Sequence, residues 1–118
     1  MFSPAVLDHF EHPRNVGELS DASAVVEVTN PVCGDVLRLS VKREGDLITA
    51  ARFKTQGCVT AIASSSCLTE MIVGGTVAKA TQINHEQISA ALGGLPPATM
   101  HGAQLAVDAI RAVLAELR

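Results

Sequence analysis

The residues best suited to chemistry are two cysteines, a carboxylate and an imidazole, each placed in or beside a turn. Cys33 and Asp35 are two positions apart in a stretch whose proline and glycine indicate a tight turn. Cys58 stands where a strand pattern gives way to a helical one, and His101 opens the last helical segment. Thiolate, carboxylate and neutral imidazole are all metal ligands. We therefore predict that these four side chains form one exposed metal site.

The remaining cysteine and histidines are weaker candidates. Cys67 lies in the middle of a predicted helix, where a small packing residue is the simplest interpretation. Cys67 could join the metal site only if its side chain faced that site. We expect His9, His12 and His85 to be at the surface or half-buried. Three cysteines are an odd number for a disulfide framework, so metal binding, thiol chemistry or packing are the better interpretations.

Composition excludes several classes of function. The chain has 118 residues, is 47% hydrophobic and contains no Trp or Tyr, which predicts a single domain over residues 1–118 with an aliphatic core. Its net charge is −3 with no basic cluster, so nucleic acid is an unexpected partner. No apolar run approaches the roughly 20 residues of a membrane span, and no signal peptide is evident. These features favour a cytoplasmic protein without membrane contact.

The elements that must position the four side chains follow from apolar periodicity and turn signals. Seven are predicted, in the order α-β-β-β-α-α-α: helices over 4–12, 60–73, 85–92 and about 101–117, and strands over 25–28, 36–41 and 47–54. Three sequential strands with short turns indicate an antiparallel meander. We predict an α+β fold in which a small three-stranded antiparallel sheet packs against several helices.

Two further details of these elements can be predicted. The alternation of the second strand places Leu37, Leu39 and Val41 on one face. The first helix should carry Val6, Leu7 and Phe10 on one side, with Ser3 as its N-cap. Leu95-Pro96-Pro97 is expected to be non-helical, because proline lacks the amide hydrogen that a helix requires.

Several stretches together resemble a known family. They are Asp8–Gly17, Asn30–Asp35, Phe53–Cys58, Ala61–Ser66, Thr69-Glu70, Leu95–Pro97 and Leu105–Ile110. With these motifs the chain resembles, nearly end to end, the IscU / NifU N-terminal family of iron–sulfur cluster assembly scaffolds. The resemblance implies a small α+β scaffold on which a cysteine desulfurase delivers sulfur. Iron joins it, and a transient [2Fe–2S] cluster forms and passes to recipient proteins.

The resemblance also assigns roles to the candidate residues. It implies that Cys33 and Cys58 are iron or cluster ligands, that Asp35 keeps the cluster labile, and that His101 is an alternative ligand. Leu95-Pro96-Pro97 resembles the docking motif for a dedicated chaperone. A scaffold of this kind holds and releases its cargo, so we expect no enzymatic catalysis. Dimerisation is left open.

One departure from the family concerns the site itself. The family's third ligand cysteine directly follows the histidine, and that position is Gly102 here. Glycine can neither ligate a metal nor accept persulfide sulfur. The chaperone motif departs as well, because it continues with Ala98-Thr99 where the family usually has a Val-Lys pair.

Three hypotheses remain at this point. The first is a working iron–sulfur scaffold, with the missing thiol supplied by a second chain or by Cys67. The second is a zinc-binding relative that regulates or contacts the assembly machinery, since two thiolates, an imidazole and a carboxylate suit tetrahedral Zn²⁺. The third needs no metal and treats Cys33 and Cys58 as a redox pair, or the fold as an interaction module.

Overall fold

The computed structural model describes residues 2–117. Its helices and strands follow one another as α1 (Pro4–Glu11), β1 (Ala24–Thr29), β2 (Val36–Glu44), β3 (Leu47–Gln56), α2 (Val59–Ile72), α3 (Val77–Ala80), α4 (His85–Ala91), a 3₁₀ turn (Pro97–Thr99) and α5 (Met100–Glu116). The strands form one antiparallel sheet in the order β1-β2-β3. The predicted α+β fold with a three-stranded antiparallel sheet is confirmed.

The sheet presents one apolar face to the helices. Leu37, Leu39 and Val41 of β2 are fully buried, as the alternation predicted, and Phe53 of β3 joins them in the core. α2 packs against β3, and α5 packs against β1 and β2. The core is aliphatic apart from Phe53, because the sequence offers no Trp or Tyr and only three Phe.

α2 is the central helix of the fold, in contact with α1, α4, α5 and the sheet. Most of its residues are buried, including the consecutive serines 64–66, so it lacks the polar face of a surface helix. Small side chains suit this position because they let neighbouring backbones approach closely. α2 also makes a tight contact with the first turn of α5, described below.

α1 buries only part of its apolar side. Val6 is buried, but Leu7 and Phe10 remain 41% and 38% exposed, and the second buried residue of the helix is His9. The expectation that His9 is at the surface or half-buried was wrong. Its Nδ1 lies 2.8 Å from Ser66 Oγ, and its Nε2 lies 3.3 Å from Glu70 Oε1, so polar groups of α2 compensate the burial.

The other differences concern short elements and element ends. α3, four residues long, was not predicted, and β2 and β3 extend beyond their predicted ends. Pro97 begins a 3₁₀ turn, a position where the missing amide hydrogen costs nothing, so excluding it from helical structure was wrong. Ser3 caps α1, as predicted, and Asn84 caps α4 with a capping box. No helix within residues 2–117 has the length and apolarity to span a bilayer.

Candidate metal centre

The loop between β1 and β2 places Cys33 and Asp35. The Asn30 side-chain oxygen accepts a hydrogen bond from the Val32 amide at 2.9 Å, and the Gly34 amide donates to the Asn30 carbonyl at 2.8 Å. Gly34 adopts a φ of 74°, which glycine tolerates better than other residues. This turn leaves Cys33 exposed and directs Asp35 inward, where only 7% of its surface is accessible.

Cys58 is the N-cap of α2, with an extended backbone and no side-chain capping hydrogen bond. Its Sγ lies 3.2 Å from Asp35 Oδ2 and 3.2 Å from the Thr60 hydroxyl oxygen. The thiol therefore reaches across to the loop that carries Asp35. The positive end of the α2 dipole also lies beside it.

Gly57 makes room for the Asp35 carboxylate. A Cβ at position 57 would lie 2.6 Å from Asp35 Cγ and 2.9 Å from its Oδ1. Any side chain there would displace the carboxylate from its place beside Cys58. The role of Gly57 is thus to leave space, in addition to forming a turn.

His101 reaches the same place from the first turn of α5. Its Nε2 lies 3.4 Å from Cys58 Sγ. Donor atoms of Cys33, Asp35 and His101 all lie within 4.8 Å of one another. Three separate segments (the β1–β2 loop, the start of α2 and the start of α5) thus contribute to one cluster, and these are the four side chains selected from the sequence. Their role as ligands remains a prediction.

The electrostatics of the cluster favour a cation. Asp35 is a nearly buried carboxylate, yet within residues 2–117 no lysine or arginine forms an ion pair with it. Its side-chain hydrogen bond comes from the Cys58 thiol. Buried charges in proteins are normally paired or bound to metal. A metal cation would offset the negative charge of the carboxylate and of the thiols once they release their protons.

Gly102, at the position where the resemblance implies a third cysteine, lies against the backbone of α2. A Cβ at position 102 would be 2.7 Å from the Thr60 carbonyl carbon and 2.8 Å from the Ala61 nitrogen. Both atoms are main chain, so the two helices would have to separate to admit any side chain. Overpacking of this kind typically costs about 1–3 kcal/mol. Adding a cysteine at position 102 would therefore require the first turn of α5 to move away from α2.

Cys67 lies elsewhere on α2. It is 3% exposed, and its Sγ lies 3.9 Å from Met71 Sδ. Burial, and secondarily the negative charge of Glu70, raises the pKa of its thiol to about 11. Nine residues of helix separate it from Cys58, which amounts to about 13 Å along the axis. The structure places Cys67 as a packing residue outside the cluster.

The remaining histidines are also outside the cluster. Burial, and secondarily the positive charge of Arg14, lowers the pKa of His9, while Glu70 opposes this effect. His12 is exposed and His85 is intermediate in exposure, as expected.

One contact of the cluster was not anticipated. Thr60, with 1% of its surface accessible, points its hydroxyl at Cys58 Sγ. The available signal was a hydroxyl residue two positions after a cysteine at a helix start, a spacing that lets the hydroxyl reach back to the cap. Groups that hydrogen-bond to a metal ligand orient it and influence metal affinity, so Thr60 belongs to the site in that supporting sense.

Comparison with known proteins bears on the family and the fold. The family model described as NifU-like N terminal domain matches residues 1–118. Iron-sulfur cluster assembly scaffold protein IscU 1 of Archaeoglobus fulgidus is 45% identical over 116 residues, covering 98% of this chain and 76% of that protein. The IscU scaffold protein of Azotobacter vinelandii is 45% identical over 121 residues, covering 99% of this chain and 94% of that protein.

Solved structures share the fold. The N-terminal part of a NifU-like protein from Brucella abortus superimposes with a TM-score of 0.79 at 17% identity, covering 98% of this chain and 92% of that one. FiSufU from Fervidobacterium islandicum AW-1 gives a TM-score of 0.79 at 23% identity, with 96% of each chain covered. At these identities, the structural likeness shows the fold alone. The family match over residues 1–118 and the sequence identities of 45% show the family. The chain belongs to the IscU / NifU N-terminal family.

Proposed function

We propose that this chain is an iron–sulfur cluster assembly scaffold that binds iron, holds a [2Fe–2S] cluster as cargo and passes it to recipient proteins. Relatives at 45% identity over nearly the whole chain are named as such scaffolds. The observation that carries the proposal is the Asp35 carboxylate. It is buried beside Cys58 and grouped with Cys33 and His101, and it pairs with no lysine or arginine among the described residues.

Cys33, Asp35, Cys58 and His101 would hold the cargo. A [2Fe–2S] cluster takes four protein ligands, two on each iron, and one chain offers four donors. Two thiolates with a carboxylate and an imidazole should bind a cluster less tightly than four thiolates would. Weak binding suits a cargo that must leave. A ligand from a second copy of the chain could replace the carboxylate or the imidazole.

The proposed partners follow from the cargo. A cysteine desulfurase would supply sulfur, and because Gly102 offers no thiol, the exposed Cys33 and Cys58 are the thiols available to meet it. A chaperone would contact the Leu95-Pro96-Pro97 segment, where both prolines are exposed and Leu95 is 9% exposed.

A second candidate function is stable zinc binding by a relative that regulates or contacts the assembly machinery. The observation in its favour is the compactness of the cluster, with three donor atoms within 4.8 Å of one another and a fourth, Cys58 Sγ, near two of them. Two sulfurs, one nitrogen and one oxygen around one centre form a donor set that zinc accepts.

Anaerobic reconstitution with ferric iron and sulfide separates the two candidates. A scaffold should bind iron and sulfide in equal amounts, about two of each per cluster, with the visible absorption of a [2Fe–2S] centre. Incubation with an apo-ferredoxin should then move the absorption to the ferredoxin. Zinc that iron and sulfide do not displace would favour the second candidate, and a chain that takes up neither metal would contradict both.

Matched variants connect the result to the residues. Cys33→Ser, Cys58→Ser and His101→Ala should each lower the iron and sulfide content, because each removes one donor. Cys67→Ser is the control, since Cys67 is buried outside the cluster, and it should bind as the unaltered protein does. Equal loss from Cys67→Ser would show that general thiol content, not the cluster, governs uptake.

A further inference from the structure

Asp35 and Gly57 face each other at the end of the β2–β3 ladder. The last pair of that ladder is Val36 with Gln56, so the next pair in the same register is Asp35 with Gly57. Side chains at directly opposite positions of a sheet normally have their Cβ atoms about 4.5–5.5 Å apart. A Cβ at position 57 would lie only 2.9 Å from the Asp35 Cβ. The two segments therefore approach too closely here for both to carry a side chain.

The Asp35 side chain occupies the space that a residue other than glycine would need at position 57. Its Cγ and Oδ1 would lie 2.6 and 2.9 Å from the added Cβ. In this conformation Asp35 is buried, and its Oδ2 lies 3.2 Å from the Cys58 sulfur. The conformation that places the carboxylate over Gly57 thus also brings it to Cys58.

The backbone of Gly57 does not itself require glycine. Six glycines of the chain adopt a positive φ, and Gly57 is not one of them. Residues with a side chain could therefore adopt its backbone conformation. The need for glycine at this position comes from the Asp35 carboxylate beside it.

We infer that Gly57 is a positioning residue: by lacking a side chain, it keeps the Asp35 carboxylate beside Cys58, in ligand position. The inference deepens the proposed function and rests on its metal site. A side chain at position 57 would turn the carboxylate away from Cys58 and leave the site with three donors. Gly57 offers no donor atom of its own and acts through Asp35.

Cobalt(II) binding tests the inference, because thiolate-bound Co²⁺ absorbs strongly and its d–d bands report the ligand set. We compare the unaltered chain with Gly57→Ala, Asp35→Gly and the double variant. Glycine is chosen at position 35 because an alanine Cβ there would still meet the new Cβ at position 57. Gly57→Ala should weaken Co²⁺ binding about 10- to 100-fold, as loss of a group that orients a ligand typically does. Its spectrum should match that of Asp35→Gly, and the double variant should bind no more weakly than Asp35→Gly alone.

The control is Gly75→Ala. Gly75 lies beyond the C-terminal end of α2, whereas Cys58 caps the N-terminal end. A Cβ at position 75 would meet the Ile72 carbonyl oxygen at an ordinary 3.5 Å. The Co²⁺ affinity of this variant should equal that of the unaltered chain. Additive losses in the double variant, or Gly57→Ala with unchanged affinity and spectrum, would overturn the inference.

A second variant covers the case in which Gly57→Ala does not fold. Exchanging the two residues, Asp35→Gly together with Gly57→Asp, keeps a single side chain in the shared space. A Cβ at position 57 would lie 2.6 Å from the present Asp35 Cγ, so the exchanged carboxylate would start within reach of the same place. The exchanged chain should bind Co²⁺ more tightly than Asp35→Gly alone, and equal binding would overturn the inference.

Failure of the inference and failure of the proposed function give different results. A chain that binds Co²⁺ as described yet builds no iron–sulfur cluster would contradict only the scaffold activity. A chain that builds the cluster, but whose Co²⁺ site is unchanged by Gly57→Ala, would contradict only the role of Gly57. An unaltered chain that binds no Co²⁺ would contradict the metal site on which both rest.

Discussion

At the residue scale, environment divides the three cysteines into two kinds. Cys33 and Cys58 are exposed, and Cys58 contacts a carboxylate, a hydroxyl and an imidazole. Cys67 is buried, and its thiol has a pKa raised to about 11. The thiolate is the reactive and ligating form, so the division should be visible chemically.

We expect a native chain to react rapidly with a thiol reagent such as DTNB at Cys33 and Cys58 but not at Cys67. With a pKa of about 11 for Cys67, only about one thousandth of that thiol is ionised at pH 8, and burial restricts access further. The absorbance at the end of the fast phase should correspond to two reacted thiols per chain. Adding denaturant should expose the third thiol to the reagent. Cys67→Ser is the control, and a fast count that falls in this variant would contradict the assignment.

At the element scale, α2 supports the fold through serines with different surroundings. Ser66 Oγ lies 2.8 Å from His9 Nδ1 and accepts from the Arg14 amide at 2.9 Å, so it ties α1 and the segment after it to the central helix. Ser64 is equally buried, but its hydroxyl has no hydrogen-bond partner among residues 2–117. Ser64 and Ser66, two positions apart on one helix, therefore differ in what they contribute to stability.

Ser66→Ala should lower the free energy of unfolding by about 1–3 kcal/mol, because it leaves polar groups of His9 and Arg14 without their buried partner. Ser64→Ala is the matched control. It should change stability by less than about 0.5 kcal/mol or increase it slightly, since no hydrogen bond is lost and alanine is the better helix former. Urea unfolding followed by circular dichroism measures both. Equal losses in the two variants would show that packing volume, not hydrogen bonding, is what Ser66 provides.

At the scale of the whole molecule, the candidate metal centre joins three segments that are far apart in sequence. The β1–β2 loop, the start of α2 and the start of α5 meet only in the folded chain. An unfolded chain presents no preformed site, so metal binding and folding should be coupled.

Zinc should therefore stabilise the fold. At a free concentration 100 times the dissociation constant, binding adds about 2.7 kcal/mol, which corresponds to a rise in Tm of about 10 °C for a chain of this size. Differential scanning calorimetry with zinc, and again after a chelator, measures the shift. Asp35→Ala should reduce it strongly, and the same shift in that variant would show that zinc binds elsewhere.

Much of this protein was predictable from the sequence because its signals are local. Ser3 and Asn84 cap helices through their own side chains, and Leu37 with its alternating neighbours identified the buried face of β2. The four candidate ligands were also chosen from the sequence, since turn chemistry and family motifs mark them, and their role as ligands stays a prediction. The burial of His9 was not predictable, because it depends on Ser66 and Glu70, which are more than fifty residues away.

By itself, the sequence determined the family and the α+β fold and singled out the four candidate ligands, since each depends on local patterns or on motifs. Only the tertiary structure decided what Gly57 and Gly102 do. From the sequence, Gly102 is an absent thiol; in the fold it is a close contact with the α2 backbone, as Gly57 is with the Asp35 carboxylate. The physical reason is that a sequence shows where a side chain is absent but not which atoms of the fold occupy the space it leaves. Its effect lies in the distance between elements that meet only after folding.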